Sequence, residues 1–198
     1  MSLFSNAEFI ASVGKLSELP LEGAPEIVFA GRSNVGKSSA INALVQRKRL
    51  AFVSKTPGRT QTINFFSLGG EARLVDLPGY GYARVPLAIK AQWDALVGGY
   101  LANRAALAGV VLIMDIRHPF KPGDERLLSW LVPLERPVLV LLSKADKLTP
   151  TARRAAESDA RARLGRLALR ADAQVFSSLR AEGVEEARAK ITAWVPQK

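Results

Sequence analysis

GRSNVGKSS, residues 31–39, follows the apolar run EIVFA at residues 26–30 and precedes AINALVQRK at residues 40–48. The first run, rich in branched and aromatic side chains, reads as a strand, and the stretch after it reads as a helix. Between them stand Gly31, four intervening residues, then Gly36, Lys37 and Ser38. Such a turn lets consecutive backbone N–H groups converge on phosphate oxygens at a helix N-terminus. In this pattern Lys37 reaches the outer phosphates and the Ser38 hydroxyl ligates Mg2+. A glycine-rich turn closed by a surface lysine could share some of these letters, but the full spacing between a strand and a helix is what a phosphate loop requires.

Working outward, residues 50–62 lose periodicity and become basic and turn-rich, with Pro57 and Gly58. INFFSL (63–68) and ARLVD (72–76) flank Gly69 and Gly70, which predicts a hairpin with a two-residue turn. DLPG (76–79) ends the second strand, offering the Asp76 carboxylate for a metal shell and the Gly79 N–H for a terminal phosphate. Ile89, Trp93, Leu96 and Tyr100 form one helical stripe. GVVLIMD (109–115) and PVLVLLS (137–143) are continuous apolar runs, as expected of parallel strands covered on both faces, with a helix over 123–131 between them. Thr149 and Pro150 resemble an N-cap and first helical residue, opening an Ala- and Arg-rich helix. The strand AQVFSS (173–178) follows, then a last helix with Val184, Ala187, Ile191 and Trp194 on one face. This alternation predicts one α/β domain over residues 25–198 without an internal repeat. Residues 1–24, with Phe4, Phe9 and Ile10, read as a segment flanking or packed on it.

The 198 residues suffice for one domain with a sizeable core. Twenty-eight Lys and Arg against 18 Asp and Glu leave a net charge of +10, which favours polyanionic partners. The absence of Cys excludes disulfides, thiol nucleophiles and thiolate metal sites, and a single histidine, His118, excludes sites needing two. The apolar runs are far shorter than the roughly 20 residues that cross a bilayer. Glu8 interrupts any secretory apolar stretch, so a soluble cytoplasmic protein without an export signal or membrane partner is expected.

Ser143, Lys144, Ala145 and Asp146 close a buried strand, putting Asp146 at the carboxyl edge where α/β proteins bind ligands. A carboxylate there accepts from both N1–H and the exocyclic amine of guanine. Adenine has no N1 donor and would leave the carboxylate underpaired. Lys144 can lay its stem over the ring, and Ser177 and Ser178 follow the last strand near the base.

GRSNVGKSS, KTPGRTQTINFF, VDLPGYGYA, SKADKL and FSS together resemble the EngB family, also called YsxC or YihA, of bacterial ribosome-biogenesis GTP-binding proteins. The resemblance spans roughly residues 25–194. It implies a P-loop NTPase with a Ras-like G domain, a mostly parallel six-stranded sheet with helices on both faces, and Mg2+-dependent hydrolysis of GTP to GDP. It also implies assembly of the large ribosomal subunit, with rRNA and ribosomal proteins as partners and a monomer off the ribosome. Carried onto this chain, the nucleotide-binding positions are Gly31, Arg32, Ser33, Asn34, Val35, Gly36, Lys37, Ser38 and Ser39; Gly58 and Thr60; Asp76 and Gly79; Ser143, Lys144 and Asp146; and Ser177 and Ser178. Ser38 and Thr60 would hold Mg2+, and Lys37, Thr60 and Gly79 would act on the transferred phosphate. Spacing alone leaves Thr56, Thr60 and Thr62 open for the switch threonine; the family pattern favours Thr60.

The chain departs from the common pattern at Ser143, where Asn or Thr is usual, and at Ser178, where Ala is usual. Tyr80 stands where Ras-like enzymes carry a water-orienting Gln, which predicts slow intrinsic turnover. Asn34 resembles the asparagine with which some related GTPases hold K+ beside the phosphates. Two basic clusters, Arg47, Lys48, Arg49, Lys55 and Arg59 near the first switch and six arginines over residues 153–170, suit RNA phosphates. A nucleotide-gated ribosome-binding module with negligible hydrolysis, or an ATP-dependent metabolite kinase, are the competing readings; the kinase lacks a substrate-domain insertion.

Overall fold

The computed structural model describes residues 3–47, 50–51, 62–81 and 86–196. Its strands are β1 (Ala7–Val13), β2 (Glu26–Gly31), β3 (Ile63–Leu68), β4 (Ala72–Asp76), β5 (Leu107–Asp115), β6 (Val138–Ser143) and β7 (Ala171–Val175). Its helices are α1 (Lys37–Leu44), α2 (Leu87–Asn103), α3 (Pro122–Leu131), α4 (Pro150–Leu164) and α5 (Val184–Thr192). The strands form one sheet in the order β1-β3-β4-β2-β5-β6-β7. Six strands are expected from the sequence, and the described residues form seven. The extra one is β1, contributed by the N-terminal segment and paired antiparallel to β3.

Strand parity explains why the central runs carry no polar alternation. Val28, Val110, Leu112, Val140 and Leu142 pack with Trp93, Leu96, Tyr100, Leu127, Leu131 and Leu164 of α2, α3 and α4. Their neighbours in the chain, Ile27, Phe29, Val111, Ile113, Leu139 and Leu141, pack with Ile41 and Leu44 of α1 and Ala187 and Ile191 of α5. Each strand residue therefore faces a helix whichever side it takes, and burying each large side chain contributes about 1.5–3 kcal/mol.

The β3–β4 ladder pairs Leu68 with Ala72, so Gly69, Gly70 and Glu71 form a three-residue loop rather than the two-residue turn expected. Both glycines have positive φ, at 60° and 80°. β1 departs from regular register between Phe9 and Ala11, a bulge that leaves Ile10 unpaired with β3. Bulges of this kind blunt an exposed sheet edge. At the amino end of β2, Glu26 is fully buried. It accepts from Tyr100 Oη at 2.8 Å and from Arg104 Nε and Nη2 at 2.8 and 2.6 Å.

The order matters for binding because the chain leaves β2 toward β4 on one side and later adds β5 on the other. The carboxyl end of β2 is thus the point where the sheet changes direction of growth, the place α/β sheets offer to ligands.

Candidate functional site

Gly31 ends β2 and Lys37 opens α1, so the intervening loop lies at that switch point. Gly31 has no space for a side chain: a methyl group there would sit 2.8 Å from Ile113 O and 2.9 Å from Val35 Cγ1. Asn34 and Gly36 take positive φ, 62° and 100°, and turn the chain into the helix. The first N–H groups of a helix lack intrahelical partners and attract anions, so the loop ends on a phosphate-binding N-terminus. A cavity of about 240 Å³ lies beside it, lined by residues 32–35 with Asp115, His118 and Lys121.

Asp76 ends β4 next to β2 and forms an ion pair and hydrogen bond with Lys37. Trp93 Nε1 donates to Pro78 O at 2.9 Å, pinning the DLPG segment to α2. Ser33 N–H donates to Tyr80 O at 2.9 Å, and a methyl group on Gly79 would come within 2.9 Å of Ser33 Oγ. The phosphate loop and the segment after β4 therefore touch through Ser33. Among the described residues, no group of three or more His, Cys, Asp or Glu side chains is arranged to hold a metal. Ser38 and Asp76 supply hard oxygen donors, a set that suits Mg2+, which takes few protein ligands and completes its shell with water and substrate phosphates.

The end of β6 is tied to the same loop. Ser143, 3% exposed, has its hydroxyl 2.7 Å from Val35 O and 3.0 Å from Met114 O. The small residue that departs from the usual Asn or Thr thus holds the loop backbone. Lys144, at φ 60°, reaches Asn34 O at 2.8 Å and Asp115 at 3.1 Å. Burial raises the Asp115 carboxyl, but hydrogen bonds from Arg117 and Lys144 outweigh it and hold it well below the usual carboxylate range. Ser177 Oγ donates to Asp146 Oδ1 at 2.7 Å, and this bond lowers the Asp146 carboxyl. Ser177 N–H and O in turn pair with Glu182, and Ala145 N–H donates to Phe176 O, joining the β6 and β7 ends.

The expected residues 31–39, Asp76, Gly79, Ser143, Lys144, Asp146, Ser177 and Ser178 accordingly gather at one carboxyl edge of the sheet. Gly58 and Thr60, with Thr56, Gln61, Lys48, Arg49, Lys55 and Arg59, lie outside the described residues.

Three features escape the sequence reading. Asp115 orients Lys144; its signal was an acid closing an apolar strand. Asp124, fully buried at the start of α3, accepts from Tyr80 Oη at 2.8 Å and from Lys121 N–H at 2.9 Å, and pairs with Arg32 Nε at 3.2 Å. Tyr80 is thereby committed to α3: burial, then the Asp124 charge, push its phenol far above the ordinary range. Third, the arginines of α4 are largely spoken for: Arg153 pairs with Glu182, Arg161 with Glu157 and Asp172, and Arg163 with Glu125.

The chain is similar to known proteins in both sequence and fold. Residues 26–144 match the model of a family described as 50S ribosome-binding GTPase. A probable GTP-binding protein EngB from Methylobacillus flagellatus is 50% identical over 98% of this chain and 94% of its own length. Another from Nitrosomonas europaea is 53% identical over 97% of this chain and 86% of its own length. A crystal structure of a probable GTP-binding protein engB superposes with a TM-score of 0.67 at 21% identity, covering 85% of this chain and 97% of that one. Era, solved with MgGDPNP and a segment of 16S ribosomal RNA, also has a TM-score of 0.67, at 19% identity over 88% of this chain and 58% of that one. Among the described residues, no helix is long and apolar enough to cross a membrane.

Proposed function

Because the chain belongs to the EngB family of P-loop GTP-binding proteins, we propose that it hydrolyses GTP as a nucleotide switch in assembly of the large ribosomal subunit. The observation that carries the reading is the convergence of the phosphate loop, Asp76 and the Ser177-braced Asp146 on one strand edge. Residues 31–38 hold the phosphates, with Lys37 moving from Asp76 to their charge. Ser38 and Thr60 hold Mg2+, which neutralises charge developing on the phosphate oxygens when bound. Asp146 selects guanine, Lys144 covers the ring, and Ser178 borders it. Gly79 N–H and Thr60 sense the terminal phosphate, and Gly58 joins them in the triphosphate state.

Residues 25–198 act as one G domain, flanked by residues 1–24, and the protein works as a cytoplasmic monomer off the ribosome. Hydrolysis is slow without an activator because the Tyr80 phenol is bound to Asp124 and is not free to orient water. The same bond favours, as a second reading, a nucleotide-gated binder with negligible turnover. Asn34, exposed within the loop, is the K+ ligand if the ion supplies the missing positive charge. Exposed Arg154, Arg166 and Arg170 remain for rRNA phosphates.

Co-sedimentation with large-subunit precursors, comparing GDP with a non-hydrolysable GTP analogue at controlled salt, tests the switch. Retention with the analogue and release with GDP is expected; equal binding in both states contradicts it. Single-turnover hydrolysis in KCl and NaCl, with and without particles, separates the two readings. Particle-stimulated turnover supports the enzyme, and identical slow rates in all four conditions support the binder.

A further inference from the structure

We infer that the Ser33 hydroxyl distinguishes a nucleoside triphosphate from a diphosphate by hydrogen-bonding the third phosphate where the phosphate loop meets Gly79. The inference rests on the guanine-nucleotide reading above and assigns a role to one side-chain oxygen that cradling by the loop backbone does not require.

Ser33 Oγ is buried and has no hydrogen-bond partner among the described residues. Buried hydroxyls in native folds are nearly always paired, so an unpaired one at a ligand site points to a partner supplied by the ligand. Its position narrows which part of the ligand. A methyl group built on Gly79 would meet Ser33 Oγ at 2.9 Å and its backbone N and Cα at 3.3 Å, so the hydroxyl lies directly against the glycine of DLPG. The helix-proximal half of the loop, Gly36 to Ser38, opens α1, where backbone N–H groups cradle the inner phosphates while the Lys37 side chain reaches outward. Ser33 is at the opposite end, on the far side of the Asn34 turn, where the loop touches the segment that must register the outermost phosphate.

Neighbouring groups at that junction are already engaged. Tyr80 O accepts from Ser33 N–H, Tyr80 Oη donates to Asp124, and Arg32 Nη2 donates to His118 O at 2.9 Å. Ser33 brings an O–H with no such commitment to a place where a third phosphate adds negative charge and acceptor oxygens. A hydrogen bond to a charged oxygen is about twice as strong as a neutral one, so losing it weakens triphosphate binding selectively.

The test is a fluorescence-displacement titration of the full chain, at fixed Mg2+, with GDP and with a non-hydrolysable GTP analogue. Ser33→Ala is expected to weaken the analogue about tenfold more than it weakens GDP, a loss typical of one charge-assisted hydrogen bond. Ser33→Gly, which removes Cβ as well as the hydroxyl, should show the same selective loss. GDP affinity reports folding in both variants. Equal losses for the two nucleotides would assign Ser33 to loop shape alone and overturn the inference, as would an analogue affinity equal to wild type. Failure of the wild type to bind either nucleotide would remove the guanine-nucleotide reading, and the inference with it.

Discussion

Ser177 Oγ, 2.7 Å from Asp146 Oδ1, orients a carboxylate and keeps it ionised. Asp146→Asn replaces two acceptors with one acceptor and a donor. It should weaken GDP binding by about two orders of magnitude while strengthening xanthosine diphosphate, whose O2 accepts from the new amide. Because the Asp146 carboxyl lies below its ordinary value, it stays charged as pH falls through the usual carboxylate range. GDP affinity by titration should therefore hold from about pH 7.5 to about pH 5, and a steep loss over that interval would contradict this environment.

Tyr80 and Asp124 make a second prediction at the same scale. Tyr80→Phe leaves a buried carboxylate short of a donor and should cost about 1–3 kcal/mol in urea unfolding. Burial raises the Asp124 carboxyl despite the bond from Tyr80. A raised acid stabilises the fold at low pH and loses that contribution as pH rises from its unfolded to its folded value. Removing the phenol raises it further, so the penalty should be smaller at about pH 4 than at about pH 8.

Among elements, α5 shows how helix docking depends on absent side chains. Gly109 in β5 leaves room for Trp194, just past the helix: a methyl group would lie 2.5 Å from its Cε3. Gly109→Ala should therefore destabilise by about 1–3 kcal/mol in thermal or urea unfolding, without altering the ratio of GTP to GDP affinity. Periodicity already marked the core elements and the N-cap, where Thr149 Oγ1 accepts from Ala152 N–H at 3.3 Å. It did not reveal β1, whose burial is confined to its ends, with Phe9 60% and Ile10 43% exposed. This edge strand depends on a partner 50 or more residues away, and local pattern carries no sign of it. Asp124 escaped notice for the same reason, since Tyr80 lies 44 residues earlier and meets it only once α3 packs beside DLPG. The motif residues were legible because phosphate and purine chemistry constrain letters within short windows. The groups that hold them in place are set by tertiary contact.

At the scale of the whole molecule, the net charge stays +10, but several of its cations are engaged within the fold. Arg104 is spent on Glu26 at the amino end of the sheet, and Arg153, Arg161 and Arg163 on acids around α4. The expected site residues lie at the opposite, carboxyl edge of the strands, where β2, β4, β6 and β7 deliver their terminal residues to one place. The central claim is that this edge is a guanine-nucleotide site. Calorimetric titration of the chain with GDP, GTP and ATP in the presence of Mg2+ tests it most directly. Saturable heats for GDP and GTP with none for ATP are predicted; heats for ATP alone, or for none of the three, would contradict it.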